Sequence, residues 1–262
     1  MTFVIFNESF LAFKEIGFKM FMPNVSWRPV SPQPTFGILP IVLGTFYVSI
    51  LALIPAIILG VGCSLFLIFY VKSGLRKTLI NFIDILAGVP SVIFGFIGLF
   101  FVIKIFENTF SMSSGECVLS AALLLSVMLL PFVVSNCCES LENVKKDYYN
   151  VALSIGVSKE YFIKKIAFKG MIRSIISSSL MAFGRGMGET MAVMMVLGNS
   201  PVFPKLFGRA ETIASLTALE MGSAEVGSLH FSAIYAANAV LVIIVAIIYI
   251  LGWALKKKEE KQ

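Results

Sequence analysis

Two opposite charges lie four residues apart within an otherwise apolar stretch of this sequence. The stretch "FGRGMGETMAVMMVLGN" occupies residues 183–199 and contains Arg185 and Glu189. An ionised side chain near the middle of a bilayer costs at least about 2.5–3.5 kcal/mol on insertion scales. Residues four apart lie on the same side of an α-helix, so the two can pair, but such a pair is a weak stabilising device. The charges therefore indicate either a structural ion pair or a site with chemistry.

The sequence around this pair is apolar enough to form membrane helices. The chain has 262 residues, 58% of them hydrophobic and 14% charged, whereas a soluble domain carries about 25% charged residues. Runs long enough to cross a hydrocarbon core of about 30 Å recur along the chain. The five predicted spans are 38–71, 79–103, 117–138, 174–198 and 231–255. We therefore predict an all-α, polytopic membrane protein.

The basic residues indicate the orientation of the spans and argue against a nucleic-acid partner. The net charge is +6, and Lys and Arg concentrate in segments on one side of the spans, which the positive-inside rule places in the cytoplasm. The N-terminus is then outside and the C-terminus inside. Fourteen of the 21 basic residues lie on the inner side: Lys72, Arg76, Lys77, Lys145, Lys146, Lys159, Lys164, Lys165, Lys169, Arg173, Lys256, Lys257, Lys258 and Lys261.

Two of the predicted spans contain proline. The uncharged run 38–71 would be about 51 Å long as one helix, so we expect tilt, an interfacial first turn or a kink at Pro55. Span two contains Gly88 and Pro90, and Asp84 is its only charge. A helix interrupted in this way lines a cavity or packs closely through its small residues.

Residues 139–173, between spans three and four, are charged but patterned. Apolar residues recur there at helical spacing. Gly156 interrupts the pattern, and Ser158 is placed to cap a second short helix with Glu160 in its first turn. We predict two short amphipathic helices that form an elbow with one apolar face, which lies on lipid or fits a groove of a soluble partner. The apolar positions are Tyr148, Val151, Ala152, Ile155, Phe162, Ile163 and Ile166.

The sequence offers little material for a metal site or for catalysis. His230 is the only histidine, and the four cysteines, Cys63, Cys117, Cys137 and Cys138, have no metal-ligand spacing. Cysteines in or beside apolar spans pack as small hydrophobic residues. No Gly-x-x-x-x-Gly-Lys-Ser/Thr motif for nucleotide phosphates is present. We therefore predict no catalytic residue, metal ligand or cofactor, and we disfavour an integral membrane enzyme.

Two features resemble the membrane subunits of ABC importers. Asn150, Ala152, Gly156 and Ile166 align with the cytoplasmic motif of those permeases, although its glutamate, first alanine, leucine and proline are absent here. The sequence "GRGMGETMAVMMVLGN" at 184–199 resembles a stretch of phosphate-specific permeases of the PstC type. Three further stretches are also similar to that family: 36–62, 86–100 and 216–236.

The resemblance implies a type I importer (MetI-like) fold with five core transmembrane helices and a cytoplasmic coupling elbow. It also implies a subunit that imports inorganic phosphate without being an enzyme. The implied partners are two ABC ATPase subunits, a second homologous permease and an extracytoplasmic phosphate-binding protein. The coupling residues that would contact the ATPase are Asn150, Ala152, Gly156 and Ile166.

The same resemblance suggests how the chain is divided. Residues 1–36 would be an external N-terminal segment, 37–255 the transmembrane domain with coupling loop 139–173, and 256–262 a cytoplasmic tail. Family members usually begin with a further hydrophobic helix, and this chain begins about where that helix should end. Residues 1–36 are then either a remnant of that helix or the start of a subunit that lacks it.

Phosphate gives a reason for the charges in span four. It is a mono- or dianion at neutral pH, and the planar guanidinium of Arg185 matches its oxygens. Glu189 would neutralise Arg185 while the pathway is empty and release it when the anion arrives. Gly184, Gly186 and Gly188 would let a neighbouring backbone come close, or would expose backbone groups to the anion. The alternatives are a structural intramembrane salt bridge between subunits, a permease for sulfate or molybdate, and a secondary transporter acting alone.

Overall fold

The computed structural model describes residues 2–259, with side chains as far as Trp253, and these residues are mainly helical. The α-helices are α1 (Thr2–Glu15), α2 (Leu39–Phe69), α3 (Ser73–Ala87), α4 (Ser91–Ile97), α5 (Ile103–Phe110), α6 (Val118–Val144), α7 (Asn150–Ser154), α8 (Lys159–Tyr161), α9 (Phe168–Met187), α10 (Met191–Leu197), α11 (Ile213–Glu220) and α12 (Leu229–Glu259). A 3₁₀ turn follows α1 at Gly17–Phe21. Two short strands, β1 (Trp27–Arg28) and β2 (Thr35–Phe36), pair antiparallel. Three π-helical turns lie at Gly98–Val102, Lys145–Tyr149 and Phe162–Ala167.

Five helical segments of the described residues are long and apolar enough to cross a membrane, as predicted. The all-α class is likewise confirmed. The first span is a single helix of 31 residues that continues through Pro55. The predicted tail at 256–262 is described only in part. Residues 260–262 lie outside the described part of the chain, and so do the side chains of 256–259. The five spans are Leu39–Phe69, Ser91–Phe110, Val118–Ser154, Lys159–Met187 and Leu229–Trp253.

The predicted boundaries of span two are wrong. The helix α3 ends at Ala87, and span two begins at Ser91, after Pro90. Proline has no backbone N–H and disfavours helical geometry at the residue before it, so it begins a helix more readily than it continues one. Asp84 therefore lies on α3 and outside the span, where its carboxylate accepts a hydrogen bond from the Ser135 hydroxyl at 2.7 Å.

The predicted loop at 139–173 is mostly helix. Span three continues without a break to Ser154, and span four begins at Lys159. Residues 139–155 contain neither glycine nor proline, so nothing in that sequence ends the helix. The elbow is consequently a sharp turn between the end of span three and the start of span four rather than two separate short helices.

One compact unit comprises, of the described residues, 2–52, Pro90–Leu125 and Gly186–Ile247. Part of the predicted external segment 1–36 belongs to this unit as a two-stranded pairing, in which Trp27 lies opposite Phe36. The Ala12 N–H donates to the Ser232 hydroxyl at 2.9 Å, which ties α1 to α12. The buried apolar core of this unit includes Met20, Trp27, Phe36, Ile38, Ile41, Ile213, Leu216, Ala233 and Ile234.

A second compact unit comprises Leu53–Val89, Ser126–Arg185 and, of the described residues, 248–259. Glycine allows its helices to approach closely. A Cβ at Gly60 would lie 2.8 Å from Cγ1 of Val133, and one at Gly170 would lie 2.9 Å from Cγ2 of Val144. Small residues at such crossings are typical of helix packing in membranes. This unit contains the elbow and the whole of α3.

Candidate substrate pathway and coupling surface

Span four does not extend to residue 198 as one helix. The helix α9 ends at Met187, residues 188–190 connect it to α10, and α10 runs from Met191 to Leu197. Glycine lowers helix stability by about 1 kcal/mol relative to alanine, and glycines occupy 184, 186 and 188. The helix α9 therefore ends within a glycine-rich stretch, between Arg185 and Glu189.

Arg185 and Glu189 consequently lie on different elements. Arg185 is in the last turn of α9 with an exposed side chain, and Glu189 is in the connection and half-buried. The prediction that they share one face of a continuous helix is wrong. Oε1 of Glu189 instead accepts a hydrogen bond from the Ala192 N–H at 3.3 Å, at the start of α10. Non-helical backbone at membrane depth is tolerated where it lines a cavity or is buried in protein.

Gly184 has a packing role in the structure. A Cβ at this position would lie 3.2 Å from Cε2 of Tyr249 on α12. The predicted close approach at this glycine is thus made by an aromatic side chain.

The elbow turn is built on Gly156. Its φ is +82°, and nothing lies within 4 Å of the position that a Cβ would take. The Gly156 N–H donates to Leu153 O and the Val157 N–H to Ala152 O, both at 3.0 Å. These two bonds form the Schellman motif, which ends a helix with a left-handed residue. Ser158 accepts from the Tyr161 N–H at 3.4 Å, as expected of the predicted cap.

The predicted apolar face of the elbow is divided between surface and core. Ala152 on the first arm and Phe162 on the second are buried, the latter fully. Tyr148, Val151 and Ile155 are 58%, 62% and 75% exposed, and their spacing places them on one side of the helix. We call these three residues the elbow patch. Of the predicted coupling residues, Asn150 and Gly156 are exposed, Ile166 is half-buried and Ala152 is buried.

A cluster that the sequence did not indicate holds the elbow against the end of α2. The rings of Phe69, Tyr149 and Phe162 lie within 5.1 to 6.0 Å of one another. Nζ of Lys145 donates to the Ile68 carbonyl at 2.6 Å, in the last turn of α2, where the helix dipole favours a cation. In the sequence, Lys145 is only one of the basic residues that indicate the cytoplasmic side. The helical periodicity of one segment cannot show which distant helix packs against an aromatic ring.

A second unpredicted group ties three elements of the first unit together. Nε1 of Trp27 is 3.0 Å from both carboxylate oxygens of Glu220, and Nε2 of His230 is 2.7 Å from one of them. The carboxylate thus joins β1 to the start of α12 through α11. The single histidine has a structural partner here.

Glu211, in the connection between α10 and α11, is a buried carboxyl. Its side chain is only 3% exposed. Burial, reinforced by the charge of Glu220, raises the pKa of Glu211 to about 7. A substantial fraction of this carboxyl is therefore neutral at physiological pH.

Comparison with known proteins decides the family. A family model described as the binding-protein-dependent transport system inner membrane component matches residues 56–258, most of the chain. The chain belongs to this family. With its five spans, this inner membrane component is a multi-pass membrane protein.

Relatives and a solved structure agree with that assignment. The inner membrane component is 30% identical to the probable phosphate transport system permease protein PstC of Methanocaldococcus jannaschii, over 96% of this chain and 85% of that protein. It is 29% identical to the probable ABC transporter permease protein YqgH of Bacillus subtilis, over 85% and 72%. A chain of the methionine ABC transporter MetNI, crystallised in inward-facing conformations, shares the fold with a TM-score of 0.62 at 13% identity, over 82% of this chain and 93% of that one. The predicted MetI-like fold and the resemblance to PstC-type permeases are confirmed.

Proposed function

We propose that the chain is a permease subunit of an ATP-driven importer of inorganic phosphate. The observation that carries this is the similarity along 96% of the chain to a protein named as a probable phosphate permease. The stretch 184–199 supports the same substrate. Partner ATPase subunits hydrolyse ATP, since the sequence has no motif to hold nucleotide phosphates.

In this function Arg185 is the anion's contact in the membrane. Its guanidinium is exposed at the end of α9, beside backbone that leaves helical geometry. A planar, permanently charged fork at that place suits a tetrahedral oxyanion. Glu189 supplies the balancing charge and also accepts from the Ala192 N–H. The same carboxylate therefore balances the charge of Arg185 and holds the start of α10 after the helix break.

The elbow docks on the ATPase. The elbow patch exposes three large apolar side chains at the inner end of span three, and an amphipathic helix that enters a groove on a partner uses positions spaced in this way. Asn150 and Gly156 are exposed beside the patch. Ala152 is buried and Ile166 half-buried, so these two residues support the elbow from within and do not contact the ATPase directly.

The remaining partners follow from the same function. A second homologous permease completes the pathway, because a charge exposed at the end of α9 needs a facing wall. An extracytoplasmic phosphate-binding protein delivers the anion, and the family's dependence on a binding protein supports such a partner. Residues 37–255 form the transmembrane domain, with 1–36 outside and the tail from 256 in the cytoplasm.

Uptake in cells tests the substrate. Cells without their own phosphate importers, supplied with this chain and its three kinds of partner, should accumulate radiolabelled phosphate. Arsenate should compete, because it has nearly the same charge and shape, and sulfate should not. Uptake that sulfate or molybdate blocks as well as arsenate would instead assign the chain to another oxyanion.

The orientation gives a separate prediction. Single cysteines at the exposed positions Arg28 and Lys205 should react with an impermeant maleimide added to intact cells, and one at Lys146 should react only after lysis. The native Cys117, Cys137 and Cys138 are buried, so their background should be low. Labelling of position 146 from outside would overturn the orientation and, with it, the docking of the elbow.

A further inference from the structure

A cavity of about 430 Å³ opens at the start of α3. Ser73, Arg76, Lys77, Ile80 and Asn81 of α3 line it, together with Glu142 of α6. All of the α3 residues except Ile80 can donate hydrogen bonds through their side chains, and two are cationic. No part of the proposed phosphate pathway or of the elbow patch uses these residues.

The first residue that lines the cavity, Ser73, closely follows the inner end of span one. That span ends at Phe69, and the following Tyr70 is 56% exposed, as is typical of tyrosine at a membrane–water boundary. Ser73 is three residues further on, so it lies within about 11 Å of Tyr70. The cavity is therefore at the depth of lipid headgroups.

The opposite side of α3 is apolar and exposed. Leu75, Phe82 and Leu86 are 59%, 64% and 40% exposed. At 100° per residue they point away from the side that carries Ser73 and Lys77. An amphipathic helix with this distribution rests in the boundary between headgroups and acyl chains.

The charges of the cavity suit a monoanion. Nη2 of Arg76 is 3.5 Å from Oε1 of Glu142, so one carboxylate partly balances two cations. A phosphodiester carries a single negative charge and fits the remaining positive charge. A free phosphate dianion would bring a second negative charge close to Glu142.

We propose that this cavity binds the headgroup of an anionic phospholipid. Basic cavities between membrane helices on the cytoplasmic side bind such headgroups. The phosphodiester accepts hydrogen bonds from Arg76 and Lys77 while its acyl chains remain in the bilayer beside α3. The site would hold α3 at the membrane boundary and link the lipid composition of the inner leaflet to the break before span two.

Lipid retention by the assembled complex tests the site. The complex is purified in detergent with equal amounts of phosphatidylglycerol and phosphatidylcholine, and the retained lipid is counted by native mass spectrometry. Phosphatidylglycerol should be preferred. The double variant Arg76→Gln/Lys77→Gln should lower its retention by about fivefold for each basic residue removed. The matched control is Lys164→Gln/Lys165→Gln, an exposed pair on the same side of the membrane.

The opposite change gives an independent reading. Glu142→Gln removes the balancing carboxylate without removing a donor, so retention of phosphatidylglycerol should rise. No rise, equal retention of both lipids, or an equal loss in the control variant would overturn the site. Inorganic phosphate is added as a competitor. If it displaces phosphatidylglycerol from the wild type at millimolar concentration, the cavity binds free phosphate and the lipid assignment is wrong.

Discussion

Replacing Arg185 by glutamine should lower phosphate uptake about a hundredfold while the permease stays in the membrane. Two charge-assisted hydrogen bonds from one guanidinium are together worth roughly 3 kcal/mol, which corresponds to that factor. Arg185→Lys should be nearly as severe, because an ammonium cannot reproduce the planar fork. The measurement is uptake in whole cells, normalised to the amount of permease in the membrane.

Glu189→Gln should behave differently, and the structure makes it a clean test of charge. Glutamine keeps a carbonyl oxygen for the Ala192 N–H at the start of α10, so the backbone break persists while the negative charge is lost. Arg185 is then not neutralised, and phosphate should bind but leave slowly. Turnover should fall more than occupancy, which single-turnover release from reconstituted vesicles can separate.

Two controls distinguish a pathway from a structural ion pair. Neither residue lies near the elbow, so both variants should reach the membrane and retain the ATPase on purification. Normal uptake by Arg185→Gln would remove Arg185 from the pathway. Loss of both variants from the membrane, or failure to hold the ATPase, would favour the structural ion pair instead.

The number of spans could be predicted from sequence, but not all of their ends. Long runs with few or no charges are decisive for membrane insertion, and such runs indicated all five spans of the described residues. In the run 79–103, Leu79, Phe82 and Ile85 contribute as much hydropathy as residues within a span, although they form one face of α3. Only the position of Pro90 separates that helix from the span, and the mean hydropathy of the run does not depend on where the proline lies.

The site was predicted in part. The charges of span four and the glycine of the elbow stand out in the sequence because each breaks the pattern around it. The three alternating glycines from Gly184 also carried the signal for the end of α9, since each weakens the helix. In contrast, the packing of Phe69 on Tyr149 depends on two segments 80 residues apart in sequence. Helical periodicity describes one segment at a time and cannot pair them.

The largest effect expected at the elbow is that of Gly156→Leu. With φ at +82°, a side chain with a Cβ costs roughly 1–2 kcal/mol in the left-handed region. The turn would then shift away from the geometry that presents the elbow patch, and ATP hydrolysis would no longer drive transport. Uptake should fall by about five- to thirtyfold, with normal insertion and with ATPase activity that no longer depends on substrate.

Asparagine at the same position is the matched control. It enters the left-handed region more readily than other residues with a Cβ, and no atom lies within 4 Å of the Cβ position. Gly156→Asn should therefore retain most of the uptake although it also adds a side chain at the proposed interface. Ile155→Ser removes an apolar contact of the elbow patch without straining the turn, so it should weaken ATPase retention.

If Gly156→Leu transports normally at a normal protein level, the turn does not transmit the ATPase cycle. If asparagine and leucine impair uptake equally, added bulk at the surface is responsible and backbone geometry is not.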